Sequence, residues 1–236
     1  MDEAGVDRVV IVPPSLNNRN DYALEAVKRY PNRFAVMGRI PLQDPKSAAL
    51  LPKWKEQPGM LGLRVTFSSP AAIAWLKDGT ADWFWPAAEQ AGLPVMFLAT
   101  MQGPTFERIA ERHPQLALIV DHMGVASAVA RAGRTAEAIK HTLSLAKFPN
   151  VSVKLSSAPL LSNEPYPFND MTPHIRALFD AYGPRRCYWG TDITNSFDKT
   201  TYRQRVTHFT ETLNFLSEDD KDWVMGRAVL ERLKWA

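Results

Sequence analysis

Cysteine is nearly absent from this chain: 236 residues contain one, Cys187. That excludes an intrachain disulfide, and a lone thiol inside an apolar run fits a reducing compartment and the role of a small buried hydrophobe. No uncharged stretch reaches the roughly 18 apolar residues that a membrane span needs, since the longest, residues 90–106, is interrupted by Gln, Gly and Pro. The opening residues Met1, Asp2, Glu3 and Ala4 lack a basic n-region. A cytoplasmic location with no membrane partner is the expectation. Runs of Lys and Arg are also missing. The 28 basic residues are interspersed among 25 acidic ones for a net charge of +3, which gives a nucleic-acid partner little support. There is no H-x-H, no H-E-x-x-H and no G-x-S-x-G.

What the chain does contain is a repeated unit, a short apolar run that ends in a polar group. Residues 117–122 run Ala-Leu-Ile-Val-Asp-His, 151–156 run Val-Ser-Val-Lys-Leu-Ser, and 187–192 run Cys-Tyr-Trp-Gly-Thr-Asp. Residues 62–66, Gly-Leu-Arg-Val-Thr, carry the same pattern earlier. Seven strands are expected, at 7–13, 34–40, 62–67, 94–99, 117–122, 151–156 and 187–192. Helices are expected at 22–30, 45–56, 80–90, 104–113, 125–146, from Thr172-Pro173 to Gly183, and at 201–216. A last helix opens at Ser217 with Asp220 completing a capping box. Strands alternating with helices over 236 residues make an α/β fold, a distorted TIM (β/α)8-type barrel in one domain over residues 1–236. Such a barrel has eight strands, and residues 1–6 read as the tail of a helix and its turn. The barrel is therefore expected to lack its first strand and to be incomplete at the N-terminus. An open seven-stranded sheet is the alternative.

Alternation along each strand sorts side chains by face. Ser152, Lys154 and Ser156 share one face, expected to look into the barrel. Tyr188, Gly190 and Asp192 share another, and Arg64 aligns with Thr66. Leu118, Val120 and His122 are assigned to the interior, which leaves Asp121 toward the helical layer in a structural role. Asp192, closing a strand beside Asn195, is the candidate base, since a carboxylate at a barrel rim accepts a proton from water. His122 is the candidate for proton transfer near neutral pH. Arg64 and Lys154 are inward cations suited to an anionic substrate, or to a salt bridge with a buried acid. Arg39 is a weaker third cation. Ser156 and Asn195 are further candidates for substrate binding, and Ser157 offers a second hydroxyl without an assigned role. His113, His141, His174 and His208 fall on expected helices and are assigned to the surface. The segment 83–85, Trp-Phe-Trp, is expected to pack against the sheet, and the loop 163–170 is read equally as a lid or a plain connection. One histidine and one aspartate fall short of the three protein ligands usual for zinc, so no metal site is assigned.

In its order of motifs the chain resembles the amidohydrolase-related family, nearest its 2-pyrone-4,6-dicarboxylate hydrolase-like lactonases. The matching pieces are residues 4–12, Gly62-Leu63-Arg64, 91–95, Asp121-His122-Met123-Gly124, 150–156, Trp189-Gly190-Thr191-Asp192 and 215–219. The resemblance implies a distorted barrel that hydrolyses lactones, esters or amides, or decarboxylates in some branches. It assigns Asp192 as general base, His122 as the rim histidine and Arg64 as a cation for substrate carboxylate. The family's H-x-H strand and a further histidine are absent here, with Phe97 in the latter's region. The expected activity is thus metal-independent hydrolysis of a lactone or cyclic ester bearing carboxylate, with no cofactor, a small anionic substrate and possible homo-oligomers. The alternatives are a metal-dependent hydrolase or decarboxylase holding Zn or Mn, and a catalytically impaired barrel serving as a binding or oligomerisation module.

Overall fold

Seven apolar runs form one parallel sheet in a computed structural model that describes residues 1–14 and 19–235. The strands are β1 Val9–Ile11, β2 Phe34–Gly38, β3 Met60–Thr66, β4 Val95–Leu98, β5 Leu118–Val120, β6 Val151–Lys154 and β7 Cys187–Tyr188. They lie in sequence order, each paired with its neighbour, and among the described residues β1 and β7 do not pair. Register partners such as Val10 and Ala35, Leu63 and Val95, Val120 and Val153 place the carboxyl ends of all seven on one rim. The turn Asp2–Ala4 packs against the helix Tyr202–Thr207 that follows β7, which brings the two ends of the sheet round toward each other.

The sheet is apolar on both faces, as a parallel sheet covered by helices must be. Its outer face carries Val36, Leu63, Val65, Phe97, Leu118, Val120, Val151 and Val153 into the helical layer. Its inner face carries Met37, Met96, Ile119 and Tyr188 onto the last helix, Ala228–Leu233, through Ala228 and Leu233. Each fully buried Leu, Val or Phe contributes about 1.5–3 kcal/mol relative to exposure. Arg232 from that helix donates to the Asn150 carbonyl at 2.8 Å, just before β6. The helix therefore closes the end of the half-barrel opposite the rim.

Capping residues act as their spacing suggests at Ser217, whose hydroxyl and Asp220 form a capping box, and Gly183 ends the helix Thr172–Tyr182. Other expectations are corrected. The helix expected over 125–146 divides into Ser127–Arg131 and Thr135–Leu143, because Gly133 turns the chain with φ 71°. Pro45–Glu56 winds as a 3₁₀-helix with Pro52 inside it. The helix expected over 80–90 begins only at Phe84. Asn20, at the N-cap of Asp21–Arg29, makes no side-chain cap bond; its side chain bonds both backbone groups of Arg39, at 3.0 and 2.7 Å. Among the described residues no helix is long and apolar enough to cross a membrane.

Candidate functional site

Three polar residues follow the ends of β5, β6 and β7 in the left-handed backbone region: His122 (φ 52°), Ser157 (φ 73°) and Asp192 (φ 49°). An L-residue there costs roughly 1–2 kcal/mol, and strain of this kind collects at functional sites. The turn bearing His122 continues through Met123 and Gly124, also at positive φ. Thr142 holds it by donating to the Met123 carbonyl at 2.9 Å. A Cβ on Gly124 would lie 2.1 Å from the Thr142 hydroxyl, so only glycine fits. The rim loop after Asp192 is held by buried Arg205, which donates to the Thr191 carbonyl at 3.0 Å and the Ser196 hydroxyl at 2.9 Å.

These turns gather one cluster. His122 Nδ1 lies 2.8 Å from Ser156 Oγ and 3.0 Å from Ser157 Oγ. Ser157 donates to Asp192 Oδ2, and Asn195 Nδ2 donates to Asp192 Oδ1 at 2.7 Å. His122 Nε2 and Asp192 Oδ1 are 3.9 Å apart, with the imidazole 17% and the carboxylate 8% exposed. Burial pulls the His122 pKa down to about 4; Asp121 opposes this, Lys154 and Arg64 reinforce it, and Asp192 opposes it. At neutral pH the ring is uncharged and serves as a hydrogen-bonding base.

Asp121 sits behind this cluster, and here the sequence assignment is corrected. Ile119 joins the inner apolar cluster while Leu118 and Val120 join the outer one, so Asp121 points into the barrel. His122 reaches the same side only because its backbone leaves the strand at positive φ. Asp121 is fully buried between Arg64, with which it ion-pairs, and Lys154, whose Nζ is 2.9 Å away. Burial alone would raise its pKa, but the two cations outweigh it and hold the carboxyl well below the usual range. Arg64 Nη1 also donates to the Val65 carbonyl and to Thr66 Oγ1. Arg39, from the end of β2, donates to the same Thr66 hydroxyl at 3.1 Å and to the Pro13 carbonyl. Burial and the Arg64 charge lower its pKa to about 10. Asp121 is the one fully buried carboxylate among the described residues, and it faces three cations. Positive charge is left in excess at this part of the rim.

The structure thus brings His122, Ser156, Asp192 and Asn195 into one group, and Arg64 with Lys154 into a second joined through Asp121. Ser157 and Asp121 are the participants that sequence reasoning did not select. Their signal was the Ser156-Ser157 pair at a strand end and the acid adjoining His122. His208, expected at the surface, is buried between the Phe168 and Phe209 rings. The loop 163–170 is tied down by buried Phe168 and by Tyr166, whose hydroxyl lies 2.9 Å from that of Thr207. Phe84 and Trp85 are buried in the core, as expected. Among the described residues no group of three or more His, Cys, Asp or Glu comes together. His122 and Asp192 supply two donors, and Asp121 is committed to its cations, so this donor set does not fit a closed metal site.

A parallel β/α barrel that collects an imidazole, carboxylates and hydroxyls at the carboxyl ends of its strands has the layout of a barrel enzyme. The chain belongs to the amidohydrolase family, whose model matches residues 1–228. It is 31% identical over 196 residues to an L-fucono-1,5-lactonase of Burkholderia ambifaria, covering 80% of this chain and 65% of that one. It is 27% identical over 199 residues to a 4-sulfomuconolactone hydrolase of Hydrogenophaga intermedia, covering 81% and 62%. The chain therefore spans somewhat less than two thirds of the length of these relatives. A crystal structure of an amidohydrolase from Burkholderia multivorans superposes with a TM-score of 0.83 at 19% identity, over 99% of this chain and 85% of that one. A probable 2-pyrone-4,6-dicarboxylic acid hydrolase of Acinetobacter baumannii does so with a TM-score of 0.75 at 19% identity, over 99% and 86%. At that identity the structural likeness concerns the fold alone.

Proposed function

We propose that this rim hydrolyses a small lactone or cyclic ester carrying an acid group, with Asp192 activating the attacking water and protein cations polarising the carbonyl. The observation that carries the reading is the 3.9 Å gap between His122 Nε2 and Asp192 Oδ1. A water there lies within hydrogen-bonding reach of both acceptors and is held with its oxygen turned outward. Asp192 takes one of its protons as the oxygen attacks the lactone carbonyl. Lys154, 12% exposed at its side chain, is the cation placed to steady the developing oxyanion. The ring C–O bond then breaks, and the leaving alkoxide takes the proton from Asp192, giving a hydroxy acid.

The excess positive charge around Arg39, Arg64 and Lys154 supports an anionic substrate, since buried cations are costly until an anion joins them. The lactone-acting relatives point to the same reaction class. The test is a panel of lactones with and without a carboxylate or sulfonate, assayed before and after chelation of trace metal. The expected result is turnover confined to acid-bearing lactones and retained by metal-depleted protein. Absence of turnover across the panel would remove the reading, and activity that depends on added Zn or Mn would favour a metal-dependent hydrolase.

A further inference from the structure

We infer that Ser157 is a positioning residue that joins His122 to Asp192 and fixes which imidazole nitrogen faces the cleft. The Asp192 carboxylate can only accept, so the single Ser157 hydroxyl proton goes to its Oδ2. Ser157 Oγ must then accept in its 3.0 Å contact with His122 Nδ1. Nδ1 therefore carries the ring proton, shared with Ser156 Oγ at 2.8 Å. Nε2 is left with its lone pair toward Asp192 Oδ1, so that two acceptors face the cleft. Which imidazole nitrogen is protonated is set by the bond the other makes, and here a hydroxyl relays that bond to the carboxylate.

The plain structural role for Ser157 is capping. It occupies the N-cap position of the helix Ala158–Leu161, where a serine hydroxyl ordinarily accepts from a backbone N–H of the first turn. This one makes no such bond. Its backbone is left-handed (φ 73°, ψ 8°) rather than extended as N-caps usually are, and that conformation aims the side chain at His122 and Asp192. The neighbouring Gly190 leaves room for the arrangement, since a Cβ there would stand 3.2 Å from the Ser156 Cβ. Ser157 is 2% exposed, which places its hydroxyl behind the reacting pair.

This inference rests on the proposed reaction only for its kinetic consequence; the ring tautomer is independent of any substrate. Long-range proton–nitrogen correlation spectra of the labelled full chain should show His122 neutral at pH 7, with a pyrrole-type Nδ1 and a pyridine-type Nε2. In Ser157→Ala and in Ser157→Gly, the second of which accepts positive φ without strain, that pattern should give way to one with substantial Nε2–H. Turnover of an acid-bearing lactone should fall about ten- to a hundredfold in both variants with KM little changed. A wild-type ring protonated at Nε2, or variants that keep the wild-type ring pattern, would overturn the inference. So would a defect in the alanine variant that the glycine variant does not share. If no lactone is turned over, the proposed reaction fails while the spectra still decide this point.

Discussion

His122 Nε2 and Asp192 Oδ1 face each other across 3.9 Å, although one follows β5 and the other follows β7, with β6 between them. Because burial holds the His122 pKa near 4, the two groups meet at neutral pH as two proton acceptors rather than as an ion pair. Two acceptors at that separation repel unless something with protons lies between them, and water is the simplest such group. Left-handed turns after consecutive strands set the gap, and a second layer of Ser156, Ser157 and Asn195 holds it.

Asp121 is the acid on which this arrangement stands. Replacing it with alanine leaves Arg64 and Lys154 buried without a partner, and breaking a buried pair in this way costs about 3–5 kcal/mol. Asp121→Ala should therefore unfold at markedly lower urea concentration than wild type. A loss under about 1 kcal/mol would show that the ion pairs lie open to solvent.

The folded-state pKa of buried His208 is lowered by burial to about 4 from an ordinary 6.5. Between these values the unfolded chain binds the proton and the folded one does not. Stability from this group is full above about pH 6.5 and is lost as pH falls toward 4. His208→Phe suits the surrounding rings and removes the unpartnered Nε2. Its unfolding free energy, compared with wild type, should rise by about 2–3 kcal/mol on going from pH 7 to 4.5. A difference that is flat with pH would place the imidazole in contact with water.

Arg39 and Arg64 share the Thr66 hydroxyl while one acid serves the whole group. Arg39→Leu should raise KM for an acid-bearing lactone about tenfold or more and leave KM for a neutral analogue unchanged. Equal effects on both substrates would show that Arg39 shapes the rim instead of holding an anion.

Much of this architecture is legible in the sequence because parallel strands buried on both faces write themselves as apolar runs. All seven lie within the expected segments, apart from β3, which begins two residues early at Met60. Inward placement of Lys154 followed from strict alternation within β6. The same rule reversed the faces of β5, because His122 belongs to the turn and not to the strand, and alternation ends where φ becomes positive. Asp121 was misassigned for that reason. The link from Ser157 to Asp192 was hidden as well, since it depends on a left-handed residue that nothing in a serine announces. His208 looked like a surface residue because the aromatic rings that bury it come partly from the distant loop holding Phe168.

The proposed hydrolysis turns on the Asp192 carboxylate. The most direct measurement is kcat for an acid-bearing lactone with wild-type protein and with Asp192→Asn, checked for equal thermal stability. Asparagine keeps the shape of the side chain but cannot take a proton from water, so kcat should fall by about 10²–10⁴. An Asp192→Asn protein that folds normally and turns over lactone within about threefold of wild type would contradict it.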